Sequence, residues 1–182
     1  MMRRTRAILD RWPGSRVGGF TLVELLAVLI MLAIISAVVV PALTSVNATR
    51  QAAAASRLVR DLQLARQRSV ARGVRTWVVV NADQQQYALF IEDPAAPGRA
   101  GRVPMIDDAT GRAFVVALNQ GEWRGASIEG VDLAGAAEIG FDTRGRPLAA
   151  DETILASDGT ISLSGAHRVR ITARTGMVQR VQ

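Results

Sequence analysis

The chain has 182 residues, 49% hydrophobic and 21% charged, which leaves room for an anchor and one modest domain but not for two full-sized domains. Its formal charge of +6 sets arginine alone against 16 acids, because Lys is absent. With no Cys and one His, disulfide frameworks, thiolate zinc sites and two-imidazole chemistry are excluded. Residues 25–49 carry no charged side chain, a pattern foreign to a plain cytosolic enzyme.

Residues 1–19 contain five arginines (Arg3, Arg4, Arg6, Arg11, Arg16) and one acid, Asp10. Pro13, Gly14, Gly18 and Gly19 disfavour a stable helix there. A positive stretch ahead of an apolar span stays in the cytoplasm and places the carboxyl-terminal bulk across the membrane. The span, residues 20–46, would cover about 40 Å as a helix, more than a hydrocarbon core of about 30 Å. A secretory signal peptide is the competing reading. The run is longer than the usual hydrophobic region of about 7–15 residues, however, and Val40-Pro41-Ala42-Leu43-Thr44-Ser45 is a poor cleavage site. Glu24 is the anomaly, since a carboxylate at bilayer depth costs about 2.5–3.5 kcal/mol. Either it snorkels to the cytoplasmic surface or it is held for a partner cation.

Residues 47–72 hold no Gly or Pro, and the helix is expected to continue through them. Ala55, Leu58, Val59, Leu62, Ala65 and Ser69 form one face at helical spacing, and Gly73 is the stop. Residues 50–75 carry seven arginines against one acid, Asp61. Without interleaved aromatic residues, this reads as a solvated helix face able to meet acids on adjacent subunits rather than a nucleic-acid surface.

From 73 to 182 the pattern is that of strands and turns. Strands are expected over 75–80, 87–91, 103–106, 113–118, 127–129, 138–141, 160–163, 169–173 and 177–181, with a long loop in 92–112 and a hairpin turn at Arg174-Thr175-Gly176. The fold class is therefore α+β: a long amino-terminal helix, half of it in the membrane and half amphipathic, packed on an antiparallel β-sheet head. Trp77, Tyr87, Phe90, Phe114 and Phe141 fall in strands and read as core. Trp123, flanked by turn residues, is expected to be exposed and is the candidate partner contact. Arg168, Arg170, Arg174 and Arg180 gather near the carboxyl terminus, with Arg168 and Arg170 on one strand face by alternation. They are candidates for phosphate contact, although solvated strand arginines are the simpler account. His167 precedes the last hairpin and has neither a second His nor a Cys to work with. The acid pairs Glu92-Asp93 and Asp107-Asp108 offer calcium-type oxygens without a known loop spacing. No convergent acid, base and nucleophile set is present, so no catalytic residue, cofactor or metal is assigned and the chain is expected not to be an enzyme.

Gly19-Phe20-Thr21-Leu22-Val23-Glu24-Leu25-Leu26, at a positive-to-apolar boundary, resembles the cleavage and methylation motif of type IV prepilins and type II secretion pseudopilins. The resemblance implies a cut by prepilin peptidase between Gly19 and Phe20, methylation of Phe20, and pairing of Glu24 with the terminal amine of a neighbouring subunit. Pro41 matches a proline common in that family, which removes one backbone donor and kinks or locally loosens the helix. The residue before the cleavage glycine, often basic there, is Gly18 here. Further along, Phe141-Asp142-Thr143-Arg144-Gly145-Arg146-Pro147, Gly159-Thr160-Ile161-Ser162-Leu163, Arg168-Val169-Arg170-Ile171 and Thr175-Gly176-Met177-Val178 resemble the carboxyl-terminal pattern of the H-type minor pseudopilins of type II secretion. That resemblance implies a type IV pilin-like fold and four regions: a cytoplasmic leader (1–19), a transmembrane helix (20–46), its amphipathic continuation (47–72) and a periplasmic β-rich domain (73–182). It also implies a subunit of a bacterial inner-membrane secretion machine that drives exoprotein export. Its partners would be prepilin peptidase, other major and minor pseudopilins, inner-membrane lipid and secreted cargo. The alternative is a minor pilin of a type IV pilus, acting in pilus assembly or in DNA uptake through a basic carboxyl-terminal surface. Removing the leader lowers the net charge to about +2, which disfavours nucleic acid as a partner.

Overall fold

The computed structural model describes residue 19 and residues 21–181; residues 1–18 of the leader, Phe20 and Gln182 lie outside the described residues, as do the side chains of Val38, Val40 and residues 41–44. Helix α1 runs unbroken over Leu22–Arg72, and Pro41 lies within it. The chain divides at that proline into two compact units, residues 1–41 and Ala42–Gln182. Among the described residues no helix is long and apolar enough to cross a membrane, so the span at 20–46 rests on the sequence alone.

Gly73 ends α1 at φ 65°, in the left-handed conformation that glycine supplies without steric cost. Two antiparallel sheets follow. The first has the order β3-β2-β1-β6-β7, built from β1 (Thr76–Asn81), β2 (Gln86–Ile91), β3 (Val103–Pro104), β6 (Glu138–Phe141) and β7 (Pro147–Leu148), with β4 (Val115–Ala117) also on β2. The second has the order β10-β9-β8-β5, built from β5 (Ile128–Asp132), β8 (Gly159–Leu163), β9 (His167–Ile171) and β10 (Val178–Val181). The alternation expected of the last hairpin holds: Val169 and Ile171 are buried, Arg168 and Arg170 exposed. Strand β7 has no signal in the sequence, because a Pro-Leu pair carries no period of its own.

One core joins the helix to both sheets. Ala54, Ala55, Leu58, Leu62 and Ala65 of α1 meet Val78, Val80, Leu89, Ile139 and Phe141 of the first sheet and Ile128, Ile161, Leu163, Val169 and Ile171 of the second. Burying a Leu or Ile side chain of this kind stabilises a fold by about 1.5–3 kcal/mol. Trp77 lies outside this cluster, on the other face of β1, yet is fully buried. It stands opposite Gly140 and Phe90 in the sheet register, and glycine at 140 is what leaves room for the indole.

Candidate functional site

At the start of α1, the backbone N–H of Glu24 donates to the Thr21 carbonyl (3.0 Å) and to Thr21 Oγ1 (3.2 Å). Thr21 is therefore the N-cap, with Glu24 three positions on, the spacing of a capping box. A carboxylate in the first turn also faces the positive end of the helix dipole. Glu24 and Gly19 are exposed, and Phe20 lies outside the described residues. The cap fixes where the helix begins, two residues beyond Phe20, so the segment carrying the expected cut is non-helical at Gly19 and Thr21.

Within the second unit, polar groups tie the helix to the sheets at intervals. Asp61 is 5% exposed, and its Oδ2 accepts from Tyr87 Oη (2.6 Å) and Arg57 Nε (2.8 Å). Burial, then the Asp61 charge, raises the Tyr87 pKa far above its ordinary value. The Arg57 pKa is raised, chiefly by its hydrogen bond to Asp61, and the guanidinium lies 5.8 Å from the Phe114 ring centroid. Nearer the helix end, Arg66 Nε donates to Gly145 O (2.9 Å) and its Nη2 to Thr175 O (3.2 Å). Thr76 Oγ1 donates to Ala65 O (3.0 Å), and Arg68 pairs with Asp108. Four of the seven arginines in residues 50–75 (Arg57, Arg66, Arg68 and Arg75) thus have partners inside the chain. The basic stretch, expected as a solvated helix face able to meet acids on adjacent subunits, is thus partly engaged within the chain itself.

The acidic candidates are engaged locally. Glu92 accepts from the backbone N–H groups of Arg75 (3.0 Å) and Gly98 (2.7 Å), Asp93 from that of Ala95 (2.9 Å), and Asp107 from that of Ala109 (3.0 Å) and from Thr110 Oγ1 (3.1 Å). Among the described residues no group of three acidic or imidazole side chains could hold a metal ion. Glu138, Glu152, Arg75, Arg99 and Arg102 form a second charged cluster that pins the loop 93–102, a set without a sequence signal because its members lie far apart in the chain.

Trp123, expected to be exposed, is partly buried and packs against the core, a correction that follows from its 3-10 turn (Gly121–Trp123) folding the ring inward. The carboxyl-terminal arginines do not form one cluster. Arg168 and Arg170 share the outer face of β9. Arg174 sits in the following turn at φ 62°. Arg180 lies opposite Val169, on the core side of the sheet, where its guanidinium reaches back to Ala52 O and Ser56 Oγ of α1, both at 3.3 Å. His167 opens β9 opposite Leu163.

In the 142–146 turn, burial pushes the Asp142 carboxyl up. The N–H of Arg146, its guanidinium and the N–H of Arg144 outweigh that and hold its pKa below the usual carboxylate value. Gly145 and Gly176 approach so closely that a Cβ on Gly176 would collide with the Gly145 carbonyl, and Arg66 bridges both turns.

These turns and the helix face that meets them fall within a stretch of the chain that matches a known family. The family model described as "Type II transport protein GspH" matches residues 54–176. Two solved structures of the minor pseudopilin EpsH from the type II secretion system of Vibrio cholerae share the fold. One aligns with a TM-score of 0.52 and 14% identity over 72% of this chain and 96% of that one. The other aligns with a TM-score of 0.53 and 12% identity over 73% and 96%. No curated protein sequence matches the chain significantly.

Proposed function

Because the chain belongs to the GspH family of type II transport proteins, we propose that it works as a minor pseudopilin, a structural subunit that joins other pseudopilins in the pseudopilus that drives exoprotein export. The observation that carries this reading is the family match over 54–176, which takes in the buried helix face and the turns that Arg66 fastens to it. The family match does not favour a type IV pilus minor pilin.

In this reading prepilin peptidase cuts between Gly19 and Phe20 on the cytoplasmic side and methylates Phe20. Helix 20–46 holds the subunit in the bacterial inner membrane, with the β-rich head in the periplasm. Glu24 then meets the Phe20 amine of a neighbouring subunit. Each charge alone is costly in a low-dielectric medium, and the cost falls only when the two meet in register. Pro41 removes one backbone donor and loosens the helix where subunits pack. The head contacts neighbouring subunits or cargo, with Trp123 a candidate through the edge that it leaves exposed. The chain contributes no catalytic step.

A deletion strain compared with its parent tests this reading, with secreted proteins, motility and DNA uptake assayed together. Exoproteins trapped in the periplasm with pili and transformation intact are expected. Normal secretion with lost pili or DNA uptake would assign the chain to a type IV pilus instead.

A further inference from the structure

The outer face of the second sheet carries the guanidiniums of Arg168 and Arg170 side by side. The register sets two cross-strand rows on that face: Asp132, Thr160, Arg170 and Gln179 in one, Gly130, Ser162, Arg168 and Val181 in the other. The row between them, with Ile161 and Val169, points into the core. A shallow cleft of about 460 Å³ lies over this face, lined by Gly130, Asp132, Thr160, Ser162, Arg168 and Arg170. Gly130 contributes no side chain, and Thr160 and Ser162 contribute short hydroxyl-bearing ones, so the arginines stand above a low polar floor. Among the described residues neither Arg168 nor Arg170 has an ion pair or side-chain hydrogen bond, unlike Arg57, Arg66, Arg68, Arg75 and Arg180.

We infer that this face docks an extended acidic segment of another subunit of the assembly, with carboxylates at alternate positions seated on Arg168 and Arg170. The occupant rests on the functional reading above; the chemistry of the site does not. Residues two apart on a strand are separated by about 6.6 Å, and an extended peptide repeats its same-side side chains at that distance. Guanidinium is the donor suited to carboxylate, and the hydroxyls of Thr160 and Ser162 add neutral donors and acceptors beside it. A nucleic-acid backbone fits less well. The cleft offers no aromatic ring for base stacking.

The test uses the full chain in detergent and two blocked, labelled peptides, one alternating Asp with Thr and the other alternating Asn with Thr. Fluorescence anisotropy should show the Asp peptide binding and the Asn peptide not. The double variant Arg168→Gln, Arg170→Gln should lose about five- to tenfold in affinity, the scale of two solvent-exposed ion pairs, with an unchanged thermal midpoint. Equal binding of the two peptides, or tighter binding of a single-stranded oligonucleotide that the double variant abolishes, would overturn the assignment. In cells, a photo-crosslinking residue in place of Gln179 should give an adduct on an acidic stretch of another assembly subunit; an adduct on an exported protein would overturn the occupant. Peptide binding together with normal secretion in the deletion strain would sink the functional reading and leave the site's chemistry standing.

Discussion

The Tyr87 hydroxyl donates to Oδ2 of Asp61 across 2.6 Å, joining β2 to the last third of the helix through a carboxylate that Arg57 also holds. Replacing Tyr87 with Phe leaves that carboxylate with Arg57 alone. The expected loss is about 1–3 kcal/mol, read as a lower midpoint in urea. The pH dependence has a definite sign. The folded-state pKa of Tyr87 is raised, so its contribution is complete below the unfolded value of 10.0 and fades as pH rises beyond it. Wild-type stability should therefore fall above about pH 10, and the Phe variant should show a shallower alkaline loss.

Asp142 works in the opposite direction. Its folded pKa lies below the ordinary 3.8, so its contribution is present above that value and is lost as pH falls through the folded pKa. Asp142→Ala should cost about 1–2 kcal/mol at neutral pH, since two backbone N–H groups of the turn lose their acceptor. The difference from wild type should shrink in acid; a constant gap down to the acid transition would contradict the assigned cause.

Gly140→Ala tests the packing around Trp77. The new methyl would lie 2.9 Å from both Cδ1 and Nε1 of the indole and 3.2 Å from Leu148 Cβ. Overpacking at a site of this kind costs about 1–3 kcal/mol. A lowered thermal midpoint with altered Trp near-ultraviolet dichroism is expected, and an unchanged spectrum would show that the strand yields freely.

For the amino-terminal segment, replacing Gly19 with Val should leave the leader attached, visible as an intact mass for the full chain. Glu24→Ala should insert into the membrane normally and enter filaments poorly. Normal incorporation of that variant would remove the pairing role, whereas retention of the leader by Glu24→Ala would point to a cap defect at Thr21 instead.

Much of the architecture was legible because periodicity reports burial. The stripe Ala55, Leu58, Leu62, Ala65 and Ser69 and the alternation around Val169 are direct records of which side faces the core. What sequence could not supply was pairing at a distance. Asp61 read only as the lone acid in a basic stretch, although its position four residues after Arg57 and beside Leu62 hinted at burial. Arg180 read as one more terminal cation until the register placed it over the helix. The glycine neighbours of Trp123 mark it for exposure, but it sits in a 3-10 turn and packs against the core, and turn conformation is poorly encoded by composition. Of the outer-face site, sequence showed the two arginines and not Gly130, Thr160 and Ser162 beneath them, which belong to other strands.

The ties between helix and sheets have a mechanical meaning. They recur from Gln51, which donates to Gly125 O, through Asp61, Gln63, Ala65 and Arg66 to Arg68, a stretch of about 25 Å along the axis. A thrust directed along that axis loads them side by side, in shear, and none has to bear it alone. Prying the helix away sideways would instead break them one after another, beginning at whichever end is lifted. The head is therefore stiff against load along the helix axis and comparatively easy to peel in the perpendicular direction.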